Sequence, residues 1–140
     1  MFVIIMGCGR VGARLVLMMT HANHEVTIMD IKSSAFSRLG PDFKGSTILG
    51  NGIDQEVLRR AGIERADAFV AATQGDNRNI MASQIAKHVF GVKRVVTRVY
   101  DPLRSDTFAA LGLQAISPTI IGANSFYEEL TGESAPKLPV

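Results

Sequence analysis

The sequence predicts an α/β protein built on a doubly wound, six-stranded parallel sheet with helices on both faces. Three observations carry this reading. Short apolar, β-branched runs alternate with helix-length stretches along the whole chain. The first run feeds directly into Gly7-Cys8-Gly9-Arg10-Val11-Gly12, a G-x-G-x-x-G turn between a strand and a helix. Asp30 closes the second run 18 residues past Gly12, where the Rossmann-type fingerprint expects an acid about 20 residues on.

Each element has its own signal. Phe2 to Met6 is too short for a helix and is stopped by Gly7, which predicts a buried first strand. Over residues 11–22, Val11, Leu15, Met18 and Ala22 share one face at helical spacing, and that face is expected on the sheet. Glu25 to Asp30 is the second strand. Ser33 or Ser34 caps a helix to about Leu39, broken by Gly40-Pro41. Ser46 to Leu49 is the third strand, and Asp54 caps a helix through Ala61 that Gly62 closes. Ala68 to Ala72 is the fourth strand. Asp76 or Asn77 opens a helix to about Phe90, ended by Gly91. Arg94 to Arg98 is the fifth strand, Leu103 to Leu111 a short helix, and Ala115 to Ser117 the sixth strand. Pro118 suits a first helical position and starts a last helix to about Leu130. Residues 1–131 therefore form one domain, and 132–140, with two prolines, read as a tail.

Composition narrows the function. With 140 residues, 46% hydrophobic and 20% charged, the chain can bury a core without staples. Its one cysteine, Cys8, leaves no intrachain disulfide and no multi-cysteine metal site, and fits a reducing compartment. The net charge is +2, and Lys/Arg never exceed two in a row, so nucleic acid is not the expected partner. No apolar stretch approaches the roughly 20 residues of a membrane span. His21, His24 and His88 lack metal-ligand spacing, and no metal site is expected.

The glycine loop points to phosphate. Gly7 allows the tight turn, Gly9 lets a pyrophosphate approach the backbone, and Gly12 lets the helix pack close to the strand. The loop N–H groups of Cys8, Arg10 and Val11 and the helix dipole then favour an anion. Arg10 is placed to neutralise a phosphate chain. Cys8 sits where a helix N-terminus can acidify a thiol, but filling a tight loop is the simpler role. Asp30 can accept both ribose hydroxyls and repels a 2′-phosphate, so NADP is disfavoured. Ligands in such sheets lie beyond the carboxyl ends of the strands. That selects Asn51 and Gly52, then Ala72, Thr73 and Gln74, and finally Arg98. Arg98 either reaches a phosphate or pairs with Asp101.

No catalytic residue stands out. Two-domain dehydrogenases spend a further domain on substrate. The single-domain alternative needs Tyr-x-x-x-Lys, but Tyr100 and Tyr127 are followed four residues later by Arg104 and Thr131. A nucleotide site without chemistry suggests sensing. The alternative is an NAD-dependent oxidoreductase or its cofactor-binding half.

Further blocks accompany the glycine loop: His24-Glu-Val-Thr-Ile-Met-Asp30, Gly50-Asn-Gly-Ile-Asp54, Val70-Ala-Ala-Thr73 with Asp76-Asn-Arg-Asn79, Thr97-Arg-Val-Tyr-Asp-Pro102, and Gly112-Leu-Gln-Ala-Ile-Ser-Pro118. Together they resemble the TrkA-N domain, also called RCK or KTN, of Trk/Ktr-type potassium-uptake regulators, over about residues 1–131. The resemblance implies a cytoplasmic regulatory subunit, peripheral at the inner face of the membrane through a potassium channel or transporter subunit. It implies binding of NAD(H) or an adenine nucleotide (ATP, ADP or AMP), with Arg10 at a phosphate, Asp30 at the ribose and Arg98 as the basic residue after the fifth strand. It also implies homodimers and rings of dimers. The last helix fits that expectation, because Ile120, Ile121, Ala123, Phe126, Tyr127 and Leu130 wrap over a broad apolar face. Two departures stand out. Some members use a glutamate after the proline of the sixth strand for a divalent cation, and this chain has Thr119 there. Many relatives also continue into a further C-terminal domain.

Overall fold

Six strands, β1 (Phe2–Met6), β2 (Glu25–Asp30), β3 (Ser46–Leu49), β4 (Ala68–Ala71), β5 (Arg94–Arg98) and β6 (Gln114–Ile116), form one sheet in the computed structural model, which describes residues 1–138. All neighbouring pairs are parallel, and the order is β3-β2-β1-β4-β5-β6. The order reverses beside β1, so the carboxyl ends of β1 and β4 flank a topological switch point. The register brings Met6 level with Met29 on one side and Ala71 on the other.

Among the described residues α1 (Arg10–His21), α2 (Gln55–Ala61), α3 (Asp76–Gln84) and α4 (Ser105–Ala110) pack on the sheet, and α5 (Pro118–Thr131) follows β6. Ile4 and Met6 of β1 join a core with Leu58, Phe69 and Ala82, while Val3 and Ile5 join one with Val16, Val26 and Ile28. Successive strand residues point to opposite faces, so both faces of β1 are buried and it reads as an unbroken apolar run. Asp54 caps α2 by accepting the Glu56 N–H at 2.9 Å, and Gly62 closes it in the left-handed region at φ 92°.

The structure departs from the sequence expectation in several places. The face of α1 is the largest. Its buried residues are Gly12, Ala13 and Val16, whereas Val11 is exposed and Met18 is 59% exposed. Gly12 lies against the loop carbonyl of Gly7, which leaves Val11 and Met18 outward while Leu15 of the same stripe packs against the core. Residues Ser33–Leu39 wind as a 3-10 helix, and a further short 3-10 turn occupies Ile63–Arg65. The helix expected to reach Phe90 widens into a π-turn at Ile85–Val89. Beside it, Gln84 and Lys87 donate to the carbonyls of Leu111 and Gly112, and Ala86 stays in the core. The stretch expected as one helix from Leu103 splits into a 3-10 turn, Pro102–Arg104, and α4. There the Asp101 carboxylate accepts the Leu103 N–H at 3.1 Å. β4 stops at Ala71, and β6, which starts at Gln114, ends at Ile116 because Ser117 is used as the cap of α5, accepting the Ile120 N–H.

Helix α5 buries none of its residues. Phe126 is 74% and Leu130 85% exposed, and Ile120, Ile121 and Tyr127 are exposed with them. Of the tail, residues 139 and 140 lie outside the described residues.

Candidate nucleotide site

The chain leaves β1 through Gly7 at φ +106°, a conformation that favours glycine. A Cβ there would sit 2.8 Å from the Ala72 carbonyl carbon and the Thr73 nitrogen. The turn therefore lies directly against the end of β4. A Cβ on Gly12 would fall 1.8 Å from the Gly7 oxygen, so the first turn of α1 can nest on the loop only without a side chain. Gly9 is different. Nothing lies within 4 Å of its Cβ direction, and a side chain there would fill open space over the loop. Gly9 supplies no side-chain cap to α1, and the first turn holds no acid. The leading N–H groups of α1 are thus offered to an anion.

Asp30, at the end of β2, braces this loop. One carboxylate oxygen accepts the Cys8 N–H at 2.8 Å and the other accepts the Lys32 N–H at 2.9 Å. Each oxygen keeps a further lone pair for a ribose hydroxyl. The Cys8 thiol is fully buried and donates to the Ala35 carbonyl at 3.3 Å. Burial, and next the nearby Asp30 charge, push its pKa up, with Arg38 opposing. The acidified thiol that a helix N-terminus can produce is therefore not what this loop makes.

The loop opens onto a cleft of about 720 Å³ across the carboxyl ends of β1, β2, β4 and β5, a size typical of small-molecule sites. Gly7, Cys8, Gly9, Arg10, Val11, Asp30, Gly52, Ala72, Thr73, Gln74 and Arg98 line it. Gly12 lies beneath the loop and outside the lining. Asn51 also stays outside the lining, and its side chain accepts the Ile53 N–H at 3.2 Å. Gly52 is held by packing, because a Cβ there would meet the Met6 sulfur at 2.1 Å. Sequence reasoning missed Lys32, Arg38, Arg78 and Tyr100 in the wall. Lys32, Arg38 and Arg78 with Arg10 and Arg98 make five cations against one carboxylate, Asp30, a balance that favours a polyanion.

Two residues of α3 hold the far wall in place. Asn79 is fully buried. Its side-chain oxygen accepts the Thr73 N–H at 3.0 Å and the Thr73 hydroxyl at 2.5 Å. Its side-chain nitrogen donates to the carbonyls of Thr73 and Arg98 at 2.9 and 3.1 Å. One amide thus fastens the end of β4 to the end of β5. Buried Asp76 accepts the N–H groups of Tyr100 and Asp101 at 2.6 and 3.0 Å. The sequence showed these residues only as the block Asp76-Asn-Arg-Asn79, in which spacing alone does not tell a bracing side chain from a solvated one.

Arg98 does not pair with Asp101, which faces Arg104 at 3.9 Å. Its guanidinium lies 5.8 Å from the Tyr100 ring centroid. Its Nε is buried with no hydrogen-bond partner, and the residue lines the cleft. A buried donor left unpaired is costly, and Arg98 holds this one in the wall of the cleft. No group of three or more potential metal-binding side chains gathers among the described residues, and no helix there is long and apolar enough to cross a membrane.

The family description "TrkA-N domain" matches residues 3–118. The chain is similar to a Trk system potassium uptake protein TrkA of Streptomyces coelicolor, with 40% identity over 138 residues covering 99% of this chain and 62% of that protein. A TrkA homolog of Pyrococcus abyssi is 32% identical, over 93% of this chain and 60% of its own length. The chain thus spans about three fifths of the length of these relatives. Among solved structures, the AMP-bound Kef C-terminal domain of Shewanella denitrificans superposes with a TM-score of 0.80 at 21% identity, covering 94% of this chain and 80% of that one. At that identity the likeness speaks to the fold.

Proposed function

The chain belongs to the TrkA-N domain family, and from that premise we propose that it is a cytoplasmic nucleotide-sensing regulator of a potassium channel or transporter. NAD(H) or an adenine nucleotide is its ligand, and it has no catalytic role. The observation that carries the reading is the open face of Gly9 over the uncapped start of α1, with the unpartnered Arg98 Nε in the same cleft. Names among the relatives support it, since they include TrkA potassium uptake proteins and an AMP-bound Kef domain.

In this reading Gly9 and the α1 N–H groups receive phosphate, and Arg10 screens its charge. The free lone pairs of Asp30 accept the ribose hydroxyls and leave no room for a 2′-phosphate. Thr73 and Arg98 close the opposite wall. The bare apolar face of α5 is the homodimer contact. A ligand moves a two-state assembly only through its different affinity for the two states, and coupling of about 1–3 kcal/mol is typical. The membrane partner reads the resulting change between protomers.

The test pairs binding with transport. A nucleotide panel measured by calorimetry should show binding of NADH, ADP or AMP, lost in Gly9→Val. A strain whose chromosomal copy carries Gly9→Val should show altered rubidium uptake. Unchanged uptake in a strain shown to depend on the partner transporter would overturn the sensing role. Turnover of NADH with a small substrate would make the protein an oxidoreductase.

A further inference from the structure

At its other end, away from the cleft, β5 borders a second hollow. β6 begins at Gln114, level with Val96, while β5 begins at Arg94. The first two residues of β5 therefore run past the start of their neighbour, and the step opens as a notch of about 450 Å³. Its apolar lining is Val95, which is buried, and Val96, which is half-buried.

The charged lining is all of one sign. Lys93 and Arg94 come from the start of β5, and Lys87 from the π-turn Ile85–Val89. Among the described residues no carboxylate lines the notch. The ion pairs there engage Arg59, Arg65 and Arg104, and none of the three notch cations. Lys87 is held in place, because its ammonium donates to the Gly112 carbonyl at 2.5 Å. Gly112, at φ +74°, leaves room for it, since a Cβ there would come 3.1 Å from Nζ. An ammonium has three donors, so two remain. The exposed Gln114 amide stands beside them. Like charges gathered over an apolar wall repel one another and draw in a counter-ion. Unlike the nucleotide cleft, the notch has no acid to receive a ribose, so it suits the phosphate group itself. Arg94 and Arg98 lie four residues apart on one strand, about 13 Å, so the notch and the cleft are separate sites.

We infer that the notch is a second anion site that takes a phosphate group, with the Arg94 guanidinium forking two of its oxygens and Lys87 and Lys93 serving as point charges. A soluble phosphorylated compound and the headgroup of an anionic phospholipid both carry that chemistry. The site does not depend on the nucleotide reading.

The experiment follows backbone amide shifts by NMR on the isotope-labelled chain titrated with pyrophosphate, with sodium chloride of equal ionic strength as the reference. It uses Gly9→Val, whose side chain fills the space over the glycine loop, alone and combined with Arg94→Ala, Arg94→Lys or Lys93→Ala. Lys93 and Arg94 are exposed, so these variants keep the fold. The expected result is a saturable shift of the Val95, Gly112 and Gln114 amides. Arg94→Ala should weaken it about tenfold, the scale of a lost hydrogen bond to a charged group. Lys93→Ala should weaken it less, and Arg94→Lys, which keeps the charge without the fork, should fall between wild-type Arg94 and Arg94→Ala. Flotation with phosphatidylcholine vesicles containing phosphatidic acid separates the sources. Co-flotation that Arg94→Ala abolishes assigns the phosphate to a lipid headgroup. Saturable pyrophosphate binding without co-flotation assigns it to a soluble compound. If sodium chloride reproduces the shifts, or Arg94→Ala leaves them unchanged, and flotation shows no dependence on Arg94, the site is overturned.

Discussion

The Asp30 carboxylate accepts the backbone N–H of Cys8 at 2.8 Å, joining the end of β2 to the glycine loop that follows β1. One side chain thereby braces the glycine loop and, in the function proposed above, would also meet the ribose. Asp30→Ala should weaken NADH and ADP by at least about tenfold, roughly 1.4 kcal/mol, while thermal melting stays cooperative. In wild type, NADPH should bind at least about tenfold more weakly than NADH, as calorimetry will report.

The glycines of the loop should separate binding from folding. Gly9 has open space on its Cβ side and an extended backbone that valine adopts. Gly9→Val should abolish nucleotide binding and leave the urea midpoint nearly unchanged. At Gly12 a Cβ collides with the Gly7 backbone oxygen. Gly12→Ala should lower stability by roughly 3 kcal/mol or more, seen as an early urea transition.

Arg10 should read phosphate-chain length. Arg10→Ala is expected to reduce ATP affinity more than AMP affinity, because the shorter ligand ends before reaching it. Equal losses measured for the two nucleotides would remove Arg10 from the distal phosphates.

Helix α5 should hold two copies together. With Phe126 74% and Leu130 85% exposed, light scattering should give a homodimer mass at micromolar concentration. Phe126→Asp should return a monomer.

The Cys8 thiol should be inert and should make stability pH-dependent. Its pKa is raised by burial and then by Asp30, so the folded state keeps the proton that the unfolded chain gives up near pH 8.5. The contribution is whole below that pH and is lost as pH rises toward the folded value. Alkaline unfolding curves of wild type and Cys8→Ala should therefore converge above about pH 8.5. Native Cys8 should react with a thiol reagent far more slowly than the urea-unfolded chain.

Much of this was readable in the sequence because it is local. The strand runs, the glycine spacing, Asp30 and the cap at Asp54 depend on near neighbours, whereas Ser117, expected in the sixth strand, caps α5. The face of α1 was not, since a glycine contact across the loop overrides the apolar stripe of Val11 and Met18. Nor were the cations of the cleft wall. Lys32 and Arg38 follow β2 while Arg78 belongs to α3, and they meet only through the strand order. Asn79 was visible as a letter in a block, but its four bonds join residues 6 and 19 positions away.

The central strand also sets a timetable for the newborn chain. β1 emerges first, and its partner β4 pairs through Val3 and Ala68. At about 5–20 residues per second, the ribosome needs several seconds to make the intervening segment. Throughout that interval an apolar strand is available with one edge unpaired. Such an edge is a template for the wrong neighbour, so yield in cells should respond to translation speed and to chaperone supply more than the finished fold's stability would suggest.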